Sequence, residues 1–268
     1  MILNALVLAT AVVSSADGVP IHFTDQGKGD PALVFVHCWS CDRHLWDNQV
    51  PVFAKRHRVV TLDLAGHGES GLGRKDWSVP AFGEDVKAVV EKLGLKQVVL
   101  VGSSMGGPVS LEAARLMPSR IVGIVPVDTL QNVSERVPSE QAAGIIQLLE
   151  ADYKGTTTQF MNQRLFAPST PAAVKERMLA GALSTPPQVA IPSIRAVLSY
   201  DAQPAFGEMK MPVRAINSDL NPTNVDGNQK VLPGFQAVII KGVGHYPMLE
   251  DPARFNELLA GILRDFRK

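Results

Sequence analysis

The segment from Val98 to Gly107 combines a short apolar run with a serine set between two glycines. Ser104 lies two residues after Gly102 and two residues before Gly106, and a helix-like stretch follows. In a sharp turn from a strand to a helix, the residue at the tip is exposed in a strained conformation, and the flanking positions must lack side chains. The spacing predicts that such a turn presents Ser104 as a nucleophile.

A serine hydroxyl becomes a good nucleophile only when a base takes its proton, and the usual base is histidine. In sites built on this kind of turn, an acid and then a histidine follow the serine in the chain. Of the six histidines, His245 alone lies after Ser104. It lies in a glycine-containing loop after an apolar run, where catalytic groups often collect. We therefore expect His245 to act as the general base.

The acid that orients this histidine should lie between them, at the carboxyl end of a strand. Asp219 follows the apolar run Val213–Ile216, and Asp128 follows the run Ile121–Val127. We expect Asp219 to be the acid and keep Asp128 as the alternative. A carboxylate at Asp219 could instead cap the next segment.

Short runs rich in Val, Ile and Leu recur along the chain, as is typical of strands buried on both faces of a parallel sheet. They are Ala32–Val36, Val59–Leu62, Val98–Val101, Ile121–Val127, Val213–Ile216 and Ala237–Ile240. Between them, Ala81–Leu93 and Asp251–Phe266 carry apolar residues at helical spacing. The alternation predicts an α/β fold with a mostly parallel central sheet of about eight strands, flanked by helices.

The apolar stretch from Met1 to Val13 allows two interpretations. It could be the remnant of a signal peptide, because Ser14-Ser15-Ala16 resembles a cleavage site, but no Lys or Arg precedes it. We favour a first strand, since Asp17-Gly18 could join it to Val19–Thr24 as a hairpin. A cytoplasmic location is then favoured, whereas a signal remnant would indicate a periplasmic or secreted protein. The stretch is too short to cross a bilayer as a helix.

One region lacks the strand pattern. From residue 129 to residue 208 the chain is interrupted by prolines, and its apolar residues fit several short helices. We expect a helical cap over 129–208, inserted into a core formed by 1–128 and 209–268. Core and cap are expected to form a single structural unit, since the chain length suits one domain.

Together these motifs resemble the α/β-hydrolase superfamily, in particular its capped esterase, arylesterase and perhydrolase-like branch. The resemblance covers nearly the whole chain and includes the segments 36–39 and 63–70, the serine turn, Asp219 and Gly244-His245. It implies a serine hydrolase that cleaves a carboxylic ester, or a related acyl compound, through an acyl-enzyme intermediate. No metal or organic cofactor is expected.

By position, the resemblance implies that the backbone N–H groups of Trp39 and Met105 form the oxyanion hole, which stabilises negative charge on the acyl oxygen. Cys38 stands where relatives have a glycine, so a positive φ at this residue would strain the loop. The substrate pocket is expected to be lined by loop and cap residues, namely His37, Cys38, Phe160, Met161, Leu165 and Phe166.

Other functions use the same residues. Lactonases, carbon–carbon bond hydrolases and perhydrolases could use the same triad, and a ligand-binding receptor could keep this site without catalysis. The spacing of Cys38 and Cys41 also matches a thiol–disulfide oxidoreductase, but that hypothesis leaves the serine turn and His245 unexplained. A metal site is disfavoured because the adjacent residues His37 and Cys38 would point in opposite directions.

The composition limits the class of partner. The chain of 268 residues has 26 Lys and Arg against 26 Asp and Glu, so it carries no net charge. A balanced charge provides no field that would gather nucleic acid or an anionic membrane surface. The expected partner is therefore a small acyl substrate, and neither a nucleic-acid nor a membrane partner is expected.

Overall fold

The structure, a computed structural model, describes residues 10–266. Most of the apolar stretch from Met1 to Val13, on which the signal-remnant hypothesis depends, lies outside the described residues. No helix formed by residues 10–266 is long and apolar enough to cross a membrane.

Within residues 10–266 a single sheet of eight strands forms, in the spatial order β1-β2-β4-β3-β5-β6-β7-β8. The strands are β1 (Ala11–Ser14), β2 (Pro20–Gln26), β3 (Ala32–Val36), β4 (Val59–Leu62), β5 (Val98–Ser103), β6 (Ile121–Val127), β7 (Arg214–Ser218) and β8 (Gln236–Ile240). The pairs β1–β2 and β2–β4 are antiparallel and the remaining pairs are parallel. The predicted α/β fold with a mostly parallel sheet is confirmed.

The central strands are apolar because helices cover both faces of the sheet. Every residue of β3, β4 and β5 is buried. The helices are a 3₁₀ turn (Arg43–Trp46), α1 (Val50–Phe53), α2 (Val79–Lys92), α3 (Gly106–Leu116), α4 (Ser139–Ala151), α5 (Tyr153–Arg164), α6 (Ala172–Ser184), α7 (Pro187–Ser199), α8 (Ala202–Gly207), α9 (Val225–Val231), α10 (Pro247–Glu250) and α11 (Pro252–Asp265). The carboxyl ends of the parallel strands lie at one edge of the sheet, where the loops that follow them can carry a site.

The N-terminal hairpin is formed as predicted. β1 pairs with β2 in a register that places Val12 opposite His22, and Gly18 lies in the turn with φ +84°. The Ser15 N–H donates to the Val19 carbonyl at 2.8 Å, and the Ser15 hydroxyl donates to buried Asp85 at 2.5 Å. The hairpin is thus anchored to the rest of the sheet domain by a buried polar contact.

Five helices, α4 to α8, lie between β6 and β7 in the chain. We call the segment Ser139–Gly207 the helical insertion. Within it α4 packs against α5 and α7, and α5 packs against α6. Towards the sheet domain, α7 contacts α2 and α8 contacts α3. The insertion therefore lies over the sheet domain and can roof the loops that emerge from the strands.

Candidate active site

Ser104 occupies the tip of the turn between β5 and α3. Its φ is +51°, in the left-handed region, where a residue with a side chain is disfavoured by about 1–2 kcal/mol. Two backbone hydrogen bonds hold it: the Ser104 N–H donates to the Val127 carbonyl at 3.0 Å, and the Gly107 N–H donates to the Ser104 carbonyl at 2.9 Å. The neighbouring strand and the following helix thus keep the serine in this conformation.

The two glycines beside Ser104 are required by close backbone packing. A Cβ atom on Gly102 would clash with the carbonyl of Gly106. A Cβ atom on Gly106 would lie 2.5 Å from the carbonyl oxygen of Val36, which is shorter than any normal contact. Side chains are thus excluded at the two positions that the sequence pattern singled out.

The structure pairs His245 with Asp128, so the prediction that Asp219 contacts this histidine is wrong. His245 Nδ1 lies 2.6 Å from Asp128 Oδ2. The side chain of Asp128 is completely buried, and that of His245 is 11% exposed. Asp219 is exposed, and its Oδ1 accepts a hydrogen bond from the Gly242 N–H at 2.8 Å.

The position of β7 between β6 and β8 explains this outcome. β7 ends at Ser218, beside the end of β6, whereas Asp219 is the first residue after the strand and its N–H donates to the Ile240 carbonyl at the end of β8. The Ser218 N–H and hydroxyl donate to Asp128 Oδ1 at 2.8 and 2.7 Å. Asp219 instead contacts the loop that follows β8. The sequence analysis did not identify Ser218. Its hydroxyl group, directly before Asp219 in the chain, was the feature that could have indicated a hydrogen-bond donor to Asp128.

These contacts fix the proton on the histidine. Although burial disfavours a charge on Asp128, the hydrogen bonds from His245 and Ser218 hold the pKa of its carboxyl below the usual range. An ionised carboxylate only accepts hydrogen bonds, so Nδ1 of His245 must carry the hydrogen. Nε2 of a neutral His245 then has a lone pair that can accept a proton.

The loop that carries His245 is held by a second carboxylate. Glu250, at the end of α10, accepts from the Gly244 N–H at 2.8 Å and from the Tyr246 N–H at 3.1 Å. The His245 N–H between them donates to the carbonyl of Leu165 in the chain that follows α5, at 2.8 Å. Three successive backbone amides are therefore fixed, and they set the direction of the imidazole. The sequence analysis did not identify Glu250.

The loop after β3 carries the predicted oxyanion donor Trp39. A disulfide bond joins Cys38 to Cys41 across this residue. Burial lowers the pKa of His37 to about 4, so its ring is neutral near pH 7. His37 Nε2 accepts from the Leu64 N–H at 2.9 Å, and Nδ1 donates to the Cys38 carbonyl at 2.8 Å. His37 thus links the loop at Cys38 to the backbone at Leu64.

A cavity of about 170 Å³ brings these parts together. From the sheet domain it is bordered by Ser104, His245 and residues of the Cys38 loop, and from the other side by the helical insertion. The lining is Cys38, Trp39, Ser40, Cys41, Ser104, Phe160, Met161, Leu165, Met178, Ala182, Ile194, His245 and Tyr246. The enclosed site therefore has one titratable base and otherwise mostly apolar walls.

The predicted pocket residues divide into two groups. Cys38, Phe160, Met161 and Leu165 border the cavity. His37 and Phe166 do not: the ring of His37 lies behind the loop, and Phe166 packs on Tyr246 with their ring centres 6.0 Å apart. Other lining residues were missed: those in helices because apolar spacing gives no sign of which face borders a cavity, and those in loops because no spacing pattern places them. They are Ser40, Cys41, Met178, Ala182, Ile194 and Tyr246.

Residues 10–266 contain no group of three or more His, Cys, Asp or Glu side chains arranged to hold a metal ion. A larger groove, about 560 Å³, lies between α4 and α7 and is not bordered by Ser104 or His245. Size alone therefore does not locate the chemistry, and the smaller cavity is the candidate active site.

The fold and the enclosed serine and histidine define a class of hydrolytic enzymes, and comparison with known proteins places the chain in it. Residues 33–258 match the family model described as Alpha/beta hydrolase family, so the chain belongs to that family. The protein is accordingly a hydrolase, and its relatives include esterases.

Three relatives illustrate the range. A pimeloyl-[acyl-carrier protein] methyl ester esterase of Aeromonas hydrophila is 26% identical, over 87% of this chain and 95% of the relative. A solved structure described as Est816, an N-acyl homoserine lactone degrading enzyme, is 27% identical, with a TM-score of 0.82, over 94% of this chain and 99% of the other. A thermophilic esterase from Thermogutta terrifontis shares the fold with a TM-score of 0.84 at 24% identity, over 97% and 100% of the two chains.

Proposed function

We propose that the protein hydrolyses small, uncharged carboxylic esters through an acyl-enzyme formed on Ser104. The observation that carries the proposal is that Ser104 and His245 border one cavity, with His245 held by Asp128 at 2.6 Å. A serine in a sharp strand-to-helix turn, an imidazole and a buried carboxylate are the three parts that acyl transfer requires.

In the first step, His245 Nε2 takes the proton of the Ser104 hydroxyl while the serine oxygen bonds to the substrate carbonyl carbon. The Asp128 carboxylate stabilises the imidazolium that forms. The tetrahedral intermediate then collapses: the bond to the alcohol oxygen breaks, and His245 gives its proton to that leaving oxygen. The alcohol departs, and the acyl group stays on Ser104.

In the second step, water replaces the alcohol. His245 takes a proton from water as its oxygen attacks the acyl carbon, and the bond to Ser104 breaks as His245 returns that proton to the serine oxygen. In both steps the backbone N–H groups of Trp39 and Met105 are proposed to receive the negative acyl oxygen. The loss of one such donor raises a barrier by about 3 kcal/mol.

The size and chemistry of the cavity set the substrate class. A volume of about 170 Å³ lies below the 300–1,000 Å³ that is usual for drug-sized ligands. Its walls are mainly Met, Leu, Ile, Phe and Ala side chains, and a charged acyl group would be buried there without a partner. We therefore expect a short, uncharged acyl chain to be preferred.

Turnover of 4-nitrophenyl esters of increasing acyl length tests this proposal. We expect the acetate and butyrate esters to be cleaved and the dodecanoate to be cleaved poorly. Ser104→Ala should lower kcat by about 10⁵-fold or more, since a triad serine is indispensable. Ser103→Ala is the matched control, because this adjacent serine is fully buried and does not border the cavity; it should keep kcat within threefold.

An organophosphonate provides an independent readout. Intact-mass measurement should show one adduct on the protein, and peptide mapping should place it on Ser104. An adduct elsewhere, or stable binding of the esters without turnover, would contradict the proposal and favour the receptor hypothesis.

Lactone opening is the second candidate, favoured by the 27% identity to the N-acyl homoserine lactone degrading enzyme. A lactone is a cyclic ester, so the same steps apply, with the leaving oxygen tethered to the acyl group. Hydrolysis of γ-butyrolactone and N-butyryl homoserine lactone should be measured beside the linear esters. A kcat/KM for a lactone more than tenfold above that for 4-nitrophenyl butyrate would make lactones the better substrate class.

A further inference from the structure

The loop of residues 38–41 holds a disulfide beside the reacting atoms, and the proposed mechanism gives this bond no role. We infer that the Cys38–Cys41 disulfide positions the Trp39 N–H for the oxyanion, so that reduction of the bond lowers kcat. The inference rests on the proposed function, because it assigns a positioning role within that same site.

The four residues of the loop form a tight turn around the donor. The Cys41 N–H donates to the Cys38 carbonyl at 3.2 Å, and the two Cα atoms are 5.4 Å apart. Trp39 and Ser40 are the central residues, and Ser40 has φ +53°. A positive φ at the third residue of a turn suits glycine or asparagine, so a serine there disfavours the turn.

Other contacts attach this turn to the rest of the protein. His37 bonds to the Cys38 carbonyl, and the Trp39 indole N–H donates to the carbonyl of Ala190 in α7 at 2.7 Å. Within the turn, the 3.2 Å hydrogen bond joins the Cys41 N–H to the Cys38 carbonyl, and the disulfide joins the two side chains. The Cys38–Trp39 peptide, which carries the Trp39 N–H, is held at its carbonyl by His37 and by the Cys41 N–H. Without the covalent link, the Cys41 contact depends on a Ser40 conformation that serine disfavours, so one of the two contacts that orient this peptide weakens.

The bond is open to a reductant from the cavity side. Both cysteines border the cavity, but Cys38 is only 2% exposed whereas Cys41 is partly exposed. A small thiolate would attack Sγ of Cys41 and release the thiolate of Cys38. With a dithiol, the second thiol then displaces the mixed disulfide: the dithiol loses two electrons and two protons, and the protein gains two thiols.

The test compares oxidised protein with protein that has been reduced by dithiothreitol and desalted without oxygen. With 4-nitrophenyl butyrate we expect kcat to fall at least tenfold on reduction, while KM changes less than threefold. The affinity for a trifluoromethyl ketone, whose adduct places an oxyanion in the hole, should fall by the same factor as kcat. Reoxidation should restore both values. A Cys38→Ser, Cys41→Ser double variant should have the low kcat and no response to dithiothreitol.

Three outcomes would overturn the inference: an unchanged kcat in the reduced protein, a change confined to KM, or the loss of near-ultraviolet circular dichroism on reduction. The second would mean that the disulfide shapes the pocket, and the third that it holds the fold. Failure of the proposed function is a different result: then neither redox state would turn over the ester, or the turnover would survive Ser104→Ala.

Discussion

Two regions border the cavity, and they hold their side chains in different ways. In the sheet domain, Ser104, Asp128 and His245 lie at strand ends or in adjacent loops, and specific hydrogen bonds fix each of them. The helical insertion contributes Phe160, Met161, Leu165, Met178, Ala182 and Ile194, mainly through apolar contacts. Between the two regions, hydrogen bonds run from Trp39 to Ala190 and from His245 to Leu165.

The difference indicates that the sheet domain carries the reacting groups and that the helical insertion shapes the cavity. Groups that must meet a transferred proton or a developing charge need fixed geometry, and strand ends provide it. Apolar walls need only the right shape, and helices that pack through side chains can supply it. Changes in the sheet domain should therefore lower kcat, whereas changes in the insertion should alter which esters are accepted.

Within this comparison, the largest expected effect concerns the two aspartates. Asp128→Asn should lower kcat by about 10³–10⁴-fold, because an amide can hold His245 in the wrong tautomer. Asp219→Asn is the matched control at the end of the neighbouring strand and should change kcat less than threefold. Steady-state kinetics on 4-nitrophenyl butyrate would show the difference, and a reversed order of the two variants would refute the assignment of Asp128.

The sequence was sufficient for the fold but not for this choice. The apolar runs 32–36, 59–62 and 121–127 coincide with β3, β4 and β6, because strands buried on both faces leave a continuous apolar pattern. Both aspartates follow such runs, so chain order alone could not separate them. The choice depends on where β7 ends relative to β6 and β8, and that is set by pairing between strands that are distant in sequence.

The cysteines show the same limit. The spacing of Cys38 and Cys41 was compatible with several kinds of chemistry, and the structure joins them in a disulfide. Four residues that close into a turn bring their ends near enough for this bond. That closure depends on the positive φ of Ser40 and on the hydrogen bond from the Cys41 N–H to the Cys38 carbonyl, and the spacing of two cysteines reveals neither.

A smaller effect is expected from Glu250, which orients the loop of His245. Glu250→Ala should lower kcat by about 10–100-fold with little change in KM, because the two amides that it binds lose their acceptor. Glu250→Gln retains one acceptor oxygen and should fall between this variant and the wild type. Glu257→Ala, which removes an exposed partner of Arg254, is the control. If KM rises and kcat is unchanged, Glu250 does not position the base.

A change in the helical insertion should act on selectivity. Ala182→Leu adds bulk to the wall of a 170 Å³ cavity. We expect kcat/KM for the hexanoate ester to fall about tenfold and that for the acetate ester to stay within threefold. Leu148→Ala, an exposed apolar residue of the same insertion, is the control. An equal loss on both esters would mean that the insertion affects the chemical step, against the division proposed above.

The smallest effect is expected at the contact that joins the two regions. Trp39→Phe keeps the backbone N–H and an aromatic ring but removes the indole hydrogen bond to Ala190. We expect KM to rise two- to fivefold and kcat to change less than twofold, because the insertion is less firmly held over the cavity. A fall in kcat of more than tenfold would show that this bond also supports the oxyanion loop.

The uncharged lining of the cavity has a consequence for the end of the catalytic cycle. Ester cleavage turns a neutral molecule into a carboxylic acid that is ionised at pH 7, and none of the side chains that border the cavity is a lysine or an arginine that could retain it. The new anion also lies near the negative charge of Asp128. Departure of the acid is therefore favoured over rebinding, and its accumulation in the medium should inhibit the enzyme only weakly.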